Sequence, residues 1–111
     1  GNQQEKIYDV SWSGDRKIGA AGKVPAVGSS VDLKTATYTD KIGAAALATG
    51  WTDPDFKADQ HAFYYARVLE IPTPRWNTYD AVRQQMAPLT DVPATLQERA
   101  WSSPIWYTPK G

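Results

Sequence analysis

Apolar and polar positions alternate along several stretches of the chain, and that alternation is its strongest structural signal. In Ile7-Tyr8-Asp9-Val10-Ser11-Trp12, Tyr8, Val10 and Trp12 share one parity while Asp9 and Ser11 take the other, the pattern of a half-buried strand. Val31 and Leu33 share one parity and Ala36 and Tyr38 the other, so residues 31–39 are expected as a strand whose phase slips at a bulge. Ala45, Leu47, Thr49 and Trp51 alternate again, and the strand they predict stops at Thr52-Asp53-Pro54-Asp55, where proline fixes φ and aspartates can bond nearby amides. The longest run is His61 to Ile71, with Phe63, Tyr65, Leu69 and Ile71 on one face and Ala62, Tyr64, Ala66 and Val68 on the other. Apolar character on both faces predicts a central strand.

After Pro72 and Pro74 the period changes. Tyr79, Val82 and Met86 stand at i, i+3 and i+7, which predicts a helix over Thr78 to Met86 with Asn77 or Thr78 as N-cap and Pro88 beyond its end. Thr95-Leu96-Gln97-Glu98 has the spacing of a capping box and predicts one more helical turn. Ala100 to Tyr107 reads as a final strand, with Pro104 placing it at an edge or a bulge. Residues 13–30, with Gly14, Gly19, Gly22, Pro25 and Gly28 among basic side chains, read as a long exposed loop. Together these elements predict a single, mainly β domain over residues 1–111: an antiparallel sandwich-like fold with one short helix inserted before the last strand. Residues 72–99 are its Pro-rich insertion. Trp51, Phe63, Tyr65, Leu69 and Ile105 are the expected core, and Trp12 and Trp106 join them by strand phase.

Composition narrows the function more by exclusion than by indication. A chain of 111 residues has room for one domain, and a compact domain of this size buries roughly 65% of the surface its unfolded chain exposes. Twelve basic and twelve acidic residues cancel, so no global field draws nucleic acid or an anionic membrane. With no Cys and a single His, zinc ribbons, thiol nucleophiles, iron–sulfur clusters and disulfide frameworks are excluded. No apolar run reaches the roughly 20 residues of a membrane span. Gly1 has the character of a processing scar, and the absence of Cys favours a periplasmic or secreted setting.

The candidate chemistry is sparse. His61 near Asp55 and Asp59 has the residue types of a general-base pair, yet no serine carries the pattern of an activated nucleophile, so no catalytic residue and no cofactor are assigned. Asp53, Asp55 and Asp59 offer carboxylates suited to a hard cation, but a calcium loop needs Gly at its sixth position and Glu at its twelfth, where Ala58 and Tyr64 stand. Turn capping explains the three aspartates equally well. Aromatic content is high, at five Trp and six Tyr. Trp76 lies in the irregular Pro72-Thr73-Pro74-Arg75-Trp76 segment, and Arg99 stands near Trp101, so Arg75, Trp76, Tyr79, Arg99 and Trp101 are the candidate contact residues. They serve either a partner domain or, as ring platforms, a glycan or small-molecule ligand.

Three phrases carry a resemblance: Trp51-Thr52-Asp53-Pro54-Asp55-Phe56, the run from Ala62-Phe63-Tyr64-Tyr65-Ala66-Arg67 to Pro74-Arg75-Trp76, and Glu98-Arg99-Ala100-Trp101-Ser102-Ser103-Pro104-Ile105-Trp106-Tyr107. Over residues 7–109 the chain resembles the C-terminal segment of a bacterial domain-of-unknown-function family, whose long members are similar to PHP-type metal-dependent hydrolases. The resemblance implies a terminal β domain following a hydrolase module, with that module as its partner. The His-rich metal motifs of such modules match no position here, so the resemblance transfers no catalytic residue. What it implies is a non-catalytic accessory domain.

Overall fold

A computed structural model describes residues 3–111. Strands dominate its regular structure. They are β1 (Ala62–Tyr64), β2 (Arg67–Leu69), β3 (Thr73–Pro74), β4 (Thr95–Leu96), β5 (Arg99–Trp101) and β6 (Ile105–Tyr107), with one helix, α1 (Trp76–Gln84), between β3 and β4. All pairing is antiparallel and two-stranded: β1 with β6, β2 with β5, and β3 with β4.

The registers show that these three ladders are consecutive stretches of one long ribbon. Tyr64 pairs with Ile105 and Arg67 with Trp101, so Tyr65 and Ala66 face the three residues Ser102 to Pro104, a bulge on the second strand. Leu69 pairs with Arg99 and Thr73 with Leu96, so Glu70, Ile71 and Pro72 face Gln97 and Glu98, and the extra residue is now on the first strand. The second bulge cancels the register shift of the first. Hydrogen bonds continue through both. Ser102 N donates to Ala66 O at 2.9 Å, Ala66 N to Ser102 Oγ at 2.8 Å, and Glu70 N to Glu98 O at 3.0 Å. The proline expected at an edge or bulge is thus Pro104, in the first bulge, where no ladder amide is required of it.

The long His61–Ile71 strand is therefore two strands and a bulge, and the capping-box segment Thr95–Glu98 opens in strand β4 instead of a helical turn. Cross-strand pairing of Thr95 and Leu96 with Pro74 and Thr73 outcompetes the local capping signal. The strands expected at residues 7–12 and 45–51 are irregular, and 31–39 is a tight turn closed by the single bridge Asp32–Thr37. The phase slip there comes from Ala36, which turns the chain at φ 51°. The loop 13–30 is pinned mainly by Arg16, whose Nε donates to Ser13 O at 3.1 Å and whose Nη1 donates to Pro25 O at 2.8 Å.

The helix begins two residues before its expected start. Arg75 is its N-cap without a side-chain cap bond, while Asn77 and Thr78 lie buried in the first turn. Thr78 Oγ1 donates to Ala94 O at 2.7 Å and Arg75 N to the same carbonyl at 2.9 Å, so the helix start is tied to the strand that returns from it. At the other end Gln85 adopts the left-handed conformation at φ 55°, with Met86 N bonding Ala81 O and Gln85 N bonding Val82 O. That Schellman turn stops the helix before Pro88 is reached.

The expected core is not where these residues lie. Trp51, Phe63, Tyr65, Leu69 and Ile105 are all exposed, Ile105 to 73%, and Trp106 reaches 72%. Among the described residues Ala36 is the one buried hydrophobic side chain of the core types. The reason is geometric: a two-stranded ribbon has no second layer, and the irregular segments that touch it cover it only in part. The chain is extended, 65 × 32 × 25 Å with a radius of gyration of 19.0 Å, against about 13 Å for a compact domain of this length.

Candidate docking surface

The ribbon and helix position the candidate contact residues. Pro93, Thr95, Leu96, Gln97, Glu98 and the flanking Arg75, Arg99 and Trp101 line an open groove of about 460 Å³. Three of the five contact residues expected from sequence, Arg75, Arg99 and Trp101, meet there. Trp76 and Tyr79 lie outside its lining. Trp76 is 60% exposed at the helix start, and the half-buried Tyr79 ring has the Arg83 guanidinium 6.0 Å from its centroid. Leu96 and Gln97 were not legible as groove residues, because the capping-box spacing predicts a helical turn where the chain forms strand β4.

The aspartates serve as anchors. Asp53 Oδ2 accepts from the Tyr64 hydroxyl at 2.7 Å while its Oδ1 accepts from Asp55 N at 2.8 Å. Asp55 accepts from Lys6 Nζ at 2.8 Å and from the Tyr8 hydroxyl. Trp51 lies between the two tyrosines, with ring centroids 4.9 Å from Tyr8 and 6.3 Å from Tyr64. This cluster ties the N-terminal segment to the 51–56 turn and to β1. Asp59 is exposed in the turn before β1, and among the described residues no group of three His, Cys, Asp or Glu stands close enough to hold a metal ion. His61 is exposed at the entrance to β1, and Asp55 is already engaged by Lys6 and Tyr8.

The cluster sets a pH window. Donation to the Asp55 carboxylate pushes the Tyr8 hydroxyl up to about 12 from 10.0. The hydrogen bonds from Lys6 and then Tyr8 hold Asp55 below 3.8. A raised tyrosine contributes below its ordinary value and its contribution is lost as pH rises through the folded one. A lowered carboxyl contributes above its ordinary value and its contribution is lost as pH falls. The tether is therefore complete between 3.8 and 10.0. In Asp55→Asn the Tyr8 ionisation is expected to move back toward 10.0, read by ultraviolet titration of the tyrosines; an unmoved Tyr8 would separate it from Asp55.

Fold and surface together define a class: a strand-dominated segment that presents its apolar side chains outward. The chain matches the family described as "Protein of unknown function (DUF3604)" over residues 1–109, and it belongs to that family. No curated protein and no solved structure matches it.

Proposed function

We propose that the chain is a non-catalytic packing segment that docks on a larger domain of its parent polypeptide. One observation carries this reading: the chain exposes 9,335 Å², where a compact domain of 12.2 kDa exposes about 6,100 Å². The excess of about 3,200 Å² exceeds the roughly 800 Å² per partner of an ordinary interface and has the scale of obligate association. Nineteen large hydrophobic side chains from Ile7 to Trp106 are exposed. Their spread along a 65 Å body suits a segment wrapped over a larger surface better than one flat patch. Docked, the ribbon supplies two strands to a sheet, and the sandwich expected from sequence is completed by strands of the larger body.

The resemblance noted above supports taking that body to be a metal-dependent hydrolase module, with its His and Asp motifs outside these positions. Among the described residues no helix is long and apolar enough to cross a membrane. The test begins with the mass of the native polypeptide in source cells. It should be several times 12.2 kDa, and after cleavage at a protease site introduced before Ile7 the two parts should co-elute. A native band near 12.2 kDa, or a released segment that elutes alone as a folded monomer, overturns the reading.

A further inference from the structure

The strand that carries the groove has one open side. β4 pairs with β3 and β5 with β2, and among the described residues neither has a second neighbour. A groove on the face of a ribbon is lined by alternate residues, since side chains of one parity share a face. This one is lined by the five consecutive residues Thr95 to Arg99. It therefore follows the strand's outer edge, where backbone donors and acceptors of β4 and β5 have no ladder partner. From Thr95 to Trp101 that edge is roughly 23 Å long at 3.3 Å per residue.

Charge says what the edge accepts. Arg75 and Arg99 flank it and Glu98 is the one carboxylate in its lining. Neither guanidinium is ion-paired among the described residues, whose two ion pairs are Lys6–Asp55 and Lys23–Asp9. An exposed Trp101 and Leu96, 59% and 40% accessible, supply apolar contact along the same groove. Unpaired main-chain groups, two free guanidiniums and apolar side chains together fit an extended peptide bearing carboxylates, held by main-chain hydrogen bonds and by bidentate Arg–carboxylate pairs.

We propose that the outer edge of β4 and β5 receives an extended, carboxylate-bearing segment of the larger body as an added β-strand. This rests on the docking reading above and names the place and chemistry of one contact within it. The experiment is residue-resolved hydrogen exchange on the intact native polypeptide, comparing the wild type with Arg75→Glu/Arg99→Glu and Arg75→Lys/Arg99→Lys. The outward-facing amides of Thr95 to Trp101 are expected to be protected in the wild type and the Lys variant. They should exchange roughly 10- to 100-fold faster in the Glu variant, the range set by losing one to two charge-assisted bonds.

If those amides exchange freely while β1 and β6 are protected, the added strand is overturned and docking stands. Free exchange throughout residues 7–107 overturns docking as well. Protection that grows with protein concentration assigns the edge to a second copy of the chain and also overturns the proposal. Should the Glu variant lose protection at β1 and β6 too, Arg99→Gln carries the test, and unchanged exchange at Thr95 to Trp101 in that variant counts against the proposal.

Discussion

Produced alone, the 111-residue chain is expected to give no cooperative unfolding transition in calorimetry, to bind a hydrophobic dye at pH 7 and to show weak near-ultraviolet dichroism. An unfolded chain of 12.2 kDa exposes about 17,700 Å², and with 9,335 Å² exposed this one buries about half of that. Even a marginal 60-residue domain buries about 60%. Local order is abundant, in the ladder, the Schellman turn and the Arg16 clamp, and the Tyr8–Asp55 cluster and the 40–45 loop touch the ribbon from outside it, but the side chains at these contacts remain largely exposed. Nothing couples them through a shared interior, and cooperativity needs that coupling. The intact parent should unfold with a transition that includes this segment. A sharp transition of the isolated chain with a heat-capacity step near the 1.3–1.7 kcal/mol/K of a full domain this size would show a core that the exposed side chains deny.

The second large effect falls at Gly43. Its φ is 85°, and a Cβ added there would stand 2.6 Å from Ile71 Cγ2. Ile71 lies in the bulge between β2 and β3, so this contact seats the 40–45 loop on the ribbon. Gly28 isolates one of the two penalties, since its φ is 83° but no atom lies within 4 Å of an added Cβ. Gly28→Ala is expected to cost about 1–2 kcal/mol from left-handed backbone alone. Gly43→Ala adds overpacking of about 1–3 kcal/mol to the same strain. Measured as denaturant midpoints in the intact polypeptide, the two variants should separate clearly. Equal effects would mean that Ile71 moves aside freely and that the loop is not seated on it.

How far the fold could be read from sequence differs element by element. The β class, the helix after Pro74 and the bulge at Pro104 were legible because each is set by neighbouring residues: parity of side chains, a 3.6-residue period, a missing amide. The helix limits were not. Arg75 and Thr78 bond Ala94, sixteen or more positions away, and the αL turn at Gln85 carries no glycine to announce it. Of the candidate surface, Arg75, Arg99 and Trp101 were singled out as residue types beside aromatics, but that they share one groove depends on a ladder pairing Thr73 with Leu96.

The sequence by itself determined local chemistry: which stretches favour extended backbone, where proline and Asx turns break them, and that no thiol or imidazole cluster is present. Tertiary structure alone decided which apolar residues are covered. Alternation identifies a face of a strand but not whether anything packs on it. In this chain the two long strands pair only with each other. Phe63, Leu69, Ile105 and Trp106, written in the pattern of a core, therefore remain at the surface, because burial requires a second layer that these residues do not themselves supply.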